Sequence, residues 1–200
     1  MIPRLLLPAA LVAVSIAAPV SAQLSQSEGY KFREAVRKGD GTEVTKFLDQ
    51  PGTTVINSRD QGSGEAAIHI FVKRGDETYL RYLLGKGADS NLRDARGNSP
   101  LLLAVNSGQT GLVDILVRVR ANLNLANASG ETPLIRAVQR RDLPMVRTLL
   151  TAGANPDQAD VLAGKSARDY ATEDMRNPAI AKLIADTPRG STRAVAGPRL

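Results

Sequence analysis

A single imidazole, His69, is the whole histidine complement of this 200-residue chain, and cysteine is absent. Without cysteine there is no disulfide framework, thiolate metal site, iron–sulfur cluster or thiol nucleophile. Zinc would be left with carboxylates around one histidine. A serine-hydrolase arrangement would need His69 as its base, and nothing in the sequence places a Ser–Asp pair around it. A lone histidine with no second ligand and no nucleophile reads as structural. The run Ala159-Asp160-Val161-Leu162-Ala163-Gly164-Lys165-Ser166 comes close to a phosphate-binding loop, with Ala159 where glycine is expected. Such a loop needs a preceding strand and several glycines, so that backbone N–H groups can surround a phosphate. Glu173 and Asp174 are neighbours in sequence and point to different sides of a helix, whereas glycoside hydrolysis needs two carboxyls converging on one bond. Acids at a solvated helix start, favoured by the dipole, explain them better. No catalytic, cofactor-binding or metal-binding residue is expected, and the chain does not read as an enzyme.

Charge is the other chemical feature. The chain carries 26 basic and 20 acidic residues, a formal +6, with a pI near 9.9. Arg4 is the only charge in residues 1–22, and Arg189, Arg193 and Arg199 stand without an acid in residues 187–200. The 164 residues between hold 22 bases and 20 acids, only +2. Most of the basicity sits at the ends, so the pI by itself is weak support for a polyanion partner.

The beginning of the chain has the order of an export signal. Met1 to Arg4 is a short basic start, and Leu5 to Ile16 is apolar except for Ser15. Val20-Ser21-Ala22 then presents small residues where a signal peptidase reads, with Gln23 next. A membrane anchor needs about 20 continuous apolar residues, and Pro8 and Pro19 bracket a shorter run. No cysteine follows for a lipid anchor. The expectation is cleavage near Ala22–Gln23 and residence in the periplasm of a Gram-negative bacterium, or secretion elsewhere.

The rest is organised by a period of 33 residues. Gly64, Gly97 and Gly130 recur at that spacing, as do Gly75 and Gly108, Pro100 and Pro133, and Ala88, Ala121 and Ala154. Asn91, Asn124 and Asp157 form a further column. Ser99 and Thr132 supply capping oxygens, and the proline after each suits a first helical turn. A short helix follows, expected over Leu101–Ser107 and Leu134–Arg140. A second carries apolar residues at helical spacing: Val113, Leu116 and Val117, then Val146, Leu149 and Leu150, with Leu80, Leu83 and Leu84 before them. Gly87 and Gly153 fit left-handed caps. Neither helix can bury its apolar face alone, so the units must stack.

Thr132-Pro133-Leu134-Ile135-Arg136-Ala137, Ser99-Pro100-Leu101-Leu102-Leu103-Ala104 and the ending Leu83-Leu84-Gly85-Lys86-Gly87-Ala88-Asp89-Ser90-Asn91 resemble the signatures of ankyrin repeats. The resemblance runs from about Tyr30 to Asp186 and points to an exported, periplasmic bacterial type when joined to the signal segment. It implies an all-α solenoid of stacked helix pairs with short loop or hairpin connections. The expected layout is a signal peptide over 1–22 and a repeat domain over 23–186. Within it an N-terminal cap spans about 28–57, repeats about 58–91, 92–124 and 125–157, and a C-terminal cap about 158–186. A disordered basic tail is expected over 187–200. The N-terminal cap is expected as a helix pair, Phe32–Gly39 and Val44–Leu48. Two departures stand out: Arg120 replaces a helix-ending glycine, and Ala66-Ala67 replaces Thr-Pro, losing cap and preset turn. His69 falls in the signature's own histidine column, where the family uses it to tie loops together.

The resemblance also implies non-catalytic protein binding, through loop tips and the exposed face of the first helices. Carried over residue by residue, those positions are Arg59, Gln61, Glu65, Lys73 and Arg74 in the second unit. Arg93, Arg96, Asn98, Asn106 and Ser107 follow in the third, and Ala126, Ala128, Ser129, Glu131, Gln139 and Arg140 in the fourth. Lys165 adds one from the cap. Seven bases against two acids would put about +5 on one concave face, enough to steer an acidic protein surface toward it; the bland reading is solvated loop charge. The alternative is polyanion binding (nucleic acid, anionic lipid or acidic polysaccharide) by the same face and the arginine tail, with steep salt dependence. Aromatics at 4% argue against a single-strand stacking platform. No cofactor, no specific nucleic acid and no membrane span after signal cleavage are expected, and the chain is expected to be a monomer.

Overall fold

The structure, a computed structural model, describes residues 20–188, with side chains from residue 28 onward. The expected export segment and basic tail lie outside those residues except at their inner edges. Among the described residues ten helices follow one another: α1 (Val20–Lys38), α2 (Gly41–Asp49), α3 (Ala67–Arg74), α4 (Glu77–Gly85), α5 (Pro100–Asn106), α6 (Thr110–Arg118), α7 (Pro133–Gln139), α8 (Leu143–Thr151), α9 (Ala167–Glu173) and α10 (Pro178–Ala185). Among the described residues there is no strand, only one isolated bridge between Ala159 and Ser166. The helices pack in consecutive pairs, and the first helices of the pairs pack in sequence: α1 on α3, α3 on α5, α5 on α7, α7 on α9. This is an all-α stack.

Local chemistry explains where the helices begin. The Ser99 and Thr132 hydroxyls accept the N–H of Leu102 and Ile135, each at 3.2 Å, and proline occupies the first turn of α5 and α7. Ser166 caps α9, and Asp169 returns the favour by accepting the Ser166 N–H at 2.9 Å. The second helices start on aspartates not singled out from sequence: Asp40, Asp76 and Asp142 accept the N–H of Glu43, Tyr79 and Met145. Each such cap contributes about 1 kcal/mol.

The core follows the period. Leu80, Val113 and Val146 occupy one buried column, and Leu83, Leu116 and Leu149 another, all fully buried. Leu84, Val117 and Leu150 pack on the margin. Ile68, Leu101 and Leu134 line the first helices. At the signature's alanine position Ala104 and Ala137 are buried, but Phe71 stands there in α3 and stacks on Tyr79 at 5.1 Å.

Several local features lie outside the sequence reading. The first helix is much longer than Phe32–Gly39, starting at Val20 and crossing the Ala22–Gln23 boundary. Gly29 inside it is not a breaker: a Cβ there would meet Ser58 at 2.9 Å, so glycine allows a close approach. From Gly39 to Gly75 the spacing is 36 residues, three more than the period, and that interval contains a 3-10 turn at Val55–Asn57. Thr187, assigned to the tail, is tied to α10 through the carbonyls of Leu183 and Ile184. Arg120 takes the left-handed conformation with φ 59°, and so does Arg141 with φ 57°, a second case that was not anticipated.

Candidate functional site

Between the helix pairs the chain makes a row of loop fingers, interlocked by one backbone bond per step. The Ala95 N–H donates to Ser63 O at 2.9 Å, Ala128 to Arg96 O at 2.9 Å, and Val161 to Ser129 O at 3.0 Å. Each finger is braced at its root by a short polar side chain. Asp60 accepts the N–H of Gly62 and Ser63, and Asn127 those of Ser129 and Glu131. The buried Asp94 takes the N–H of Arg96 and Asn98 and the Asn98 side-chain amide. Burial pushes the Asp94 carboxyl upward, but the bonds from Asn98 and Arg96 outweigh it and hold it below the ordinary value. At Asp60 the Ser63 N–H, then Arg37 and the Gly62 N–H, hold the carboxyl well below the usual carboxylate range.

The fingers and the first helices enclose an open groove of about 860 Å³, lined by Ser63, Glu65, Lys73, Asp94, Arg96, Asn98, Leu102, Leu103, Asn106, Ala128, Ser129, Glu131 and Arg136, among others. Glu65, Lys73, Arg96, Asn98, Asn106 and Glu131 of the expected contact set meet here. Arg59, Arg74, Arg93, Gln139, Arg140 and Lys165 do not line it. Three acids and three bases line the groove itself, so its lining is neutral, and the other expected bases lie outside that lining.

Most of the expected bases are also tied to the fold. Arg59 reaches Gly64 O and, in the next unit, Arg93 O. Arg93 repeats the pattern on Gly97 O at 3.1 Å and Ala126 O at 2.6 Å. Arg74 donates to Val36 O and Arg140 to Asn106 O, both at 2.8 Å. These guanidiniums staple each unit to its neighbour. Lys73 pairs with Glu65, and Lys165 with Glu173 at 2.6 Å. Arg96 alone among the seven has no side-chain partner within the described residues.

Arg136 was missed. It bonds Asn106 Oδ1 at 2.6 Å, Gln139 Oε1 at 2.9 Å and Glu131 Oε1 at 3.3 Å, which makes it the polar hub of the groove. Its signal was available, because the variable fifth position of the signature puts Ile70, Leu103 and Arg136 on the same face of successive first helices.

The other chemical candidates have structural occupations. His69 is fully buried; its Nδ1 accepts the Ala66 N–H at 3.1 Å and its Nε2 donates to Leu92 O at 3.1 Å. Burial drives the imidazole below its ordinary pKa, against the pull of Asp94, the Leu92 carbonyl and Glu65. The imidazole thereby satisfies the N–H of the residue before α3, while the His69 N–H, which has no hydroxyl to bond at Ala66, turns to Ala66 O at 3.0 Å. In the Gly164-Lys165-Ser166 segment, Ser166 caps α9 and Asp160 accepts the Ala163 N–H at 2.7 Å, so a carboxylate sits where a phosphate would need free donors. Glu173 pairs with Lys165 and Asp174 with Arg141, on different partners. No helix among the described residues is long and apolar enough to cross a membrane.

Comparison with known proteins comes to the same architecture. A family model described as ankyrin repeats (three copies) matches residues 32–127, 68–160 and 102–190. An ankyrin repeat protein of Acanthamoeba polyphaga mimivirus is 35% identical over 85 residues, 42% of this chain and 11% of that protein. The nuclear factor NF-kappa-B p110 subunit of Drosophila melanogaster is 35% identical over 60 residues, 30% of this chain and 6% of its own length. Human neurogenic locus notch homolog protein 1 is 33% identical over 75 residues, 38% of this chain and 3% of its length. The chain therefore corresponds to a small part of each of these relatives.

Proposed function

The chain belongs to the ankyrin-repeat family, and on that premise we propose that it is an exported, monomeric, non-catalytic scaffold that takes a protein partner in the groove between its fingers and first helices. Ankyrin repeats are generally protein–protein interaction modules, typically without catalysis. The observation that carries the reading is the groove itself. Its fingers are interlocked by backbone bonds and its root carboxylates are saturated, so little ordering remains to be done on binding. Its lining is mixed: Arg96, Asn98, Asn106 and Arg136 are polar, and Leu102 and Leu103 form an apolar floor. A protein surface supplies that mixture. The neutral lining gives a polyanion no net charge to use in the groove. Export is supported by the order of the first 23 residues, which favours the periplasm or secretion.

The test is site-specific photocrosslinking in cells. Probes at Leu103 and Ser129, in the groove, are expected to trap one discrete protein. Probes at the exposed Asp114 and Arg147, on the outer helices, are expected to trap none. Crosslinks from the outer positions alone would refute the groove. N-terminal sequencing of the recovered protein is expected to begin at Gln23; an intact Met1 would refute export by cleavage. Arg93 and Arg140 are poor sites for charge reversal, because each holds a neighbouring unit.

A further inference from the structure

Residues 63, 96, 129 and 162 occupy the same place on four successive fingers, 33 residues apart, and they are serine, arginine, serine and leucine. The backbone ladder that joins the fingers makes this a physical row. The row is not uniform. Arg96 is the uncommitted cation on the second of the four fingers, while the last finger carries Val161 at 76% and Leu162 at 82% exposure. Two adjacent aliphatic side chains at a loop tip gain nothing for the fold.

That tip is held rigid. Val161 N–H is fixed to Ser129 O, Asp160 N–H to Lys165 O at 3.0 Å, and the Tyr170 hydroxyl donates to Asp160 Oδ2 at 2.6 Å. The finger presses so closely on its neighbour that a Cβ on Gly130 would meet Val161 N at 2.4 Å. A preorganised apolar pair that still faces water is a binding anchor in waiting, since its desolvation on contact is favourable and costs little ordering.

We propose that the finger row reads an extended partner segment at two points: a carboxylate on Arg96, and an apolar side chain on the Val161–Leu162 tip. This rests on the groove reading above and adds the partner's chemistry and the spacing of its two contacts. Neighbouring units pack at helix spacings of about 8–10 Å, so two steps separate the anchors by about 20 Å. An extended chain covers that distance in about six residues. The partner is thus a protein segment with Asp or Glu about six residues from a leucine, methionine or aromatic residue.

The probe is a phage library of random linear 16-residue peptides, selected on the chain recovered from expression of the full sequence. Wild type is expected to enrich an acidic and an apolar position at that spacing. Arg96→Glu is expected to exchange the acidic preference for Lys or Arg while keeping the apolar one. Leu162→Ser is expected to erase the apolar preference and weaken the best wild-type peptide at least about tenfold. Both changes are on exposed side chains, and thermal melts matching wild type confirm folding. Enriched peptides that ignore both substitutions but lose binding in Leu103→Glu would overturn the two-anchor proposal and leave the groove reading intact. Enriched peptides insensitive to all three would overturn both. Self-association of the wild type, lost in Leu162→Ser, would overturn the proposal by making the tip a contact between copies.

Discussion

Replacing His69 with leucine puts into α3 the residue that already stands at the equivalent place in the next unit, Leu102, so the shape is one the stack accepts. What changes is the hydrogen bonding. Ala66 is fully buried, and without the imidazole its N–H loses its acceptor, at a cost of about 1–3 kcal/mol. Leu92 is only half-buried, so its carbonyl regains water and adds at most about 1 kcal/mol, which the apolar leucine partly offsets. The expected loss near pH 7.5 is therefore about 1–3 kcal/mol. The imidazole must be neutral, because its Nδ1 accepts, and burial holds its folded pKa below the ordinary imidazole value of about 6.5. Its contribution is thus whole above the unfolded pKa and drains away as pH falls from there to the folded value, by up to about 1.4 kcal/mol per pH unit. Asp94, Asp160, Asp169 and Asp174 are held below the ordinary carboxylate value of 3.8. Their contributions are lost only under more acid conditions, which leaves the window above about pH 5 to the imidazole. Urea unfolding of wild type and His69→Leu at several pH values in that window measures the difference. The gap should shrink by up to about 2 kcal/mol on going to about pH 5. A gap that stays constant would refute the account, since His69 would then not be holding the start of α3 as a neutral acceptor.

Leu149→Ala removes a fully buried side chain from the second-helix column and should cost about 2–5 kcal/mol in chemical denaturation; a neutral result would mean the column is not the core. Arg120→Gly relieves a left-handed residue at φ 59° and should raise stability by up to about 1 kcal/mol, read as a higher melting temperature. Gly130→Ala combines a positive φ of 78° with a Cβ only 2.4 Å from Val161 N. It should loosen the last finger, seen as faster amide exchange at Val161 and Ala163, with α5 unaffected.

Much of the fold was legible because it is local. Ser99, Thr132 and the prolines after them write helix starts into four consecutive residues, and the glycine columns write helix ends. Leu80, Val113 and Val146 recur at the stacking period, so one aligned column already predicts one buried column. The candidate site was less legible. Its positions could be taken from the repeat, but the state of each side chain could not. Arg59, Arg93 and Arg140 look like free surface charge in sequence; each is bound to a carbonyl of an adjacent unit. Arg136, in the variable position of the signature, is the groove's hub.

By itself, then, the sequence determined the period, the pairing of helices and which faces must be covered, since those follow from capping chemistry and 3.6-residue spacing within a few turns. Only the tertiary structure decided which cations remain available and which loop carbonyls are stapled. Those outcomes depend on atoms more than thirty residues apart in the chain that become neighbours only when one unit stacks on the next.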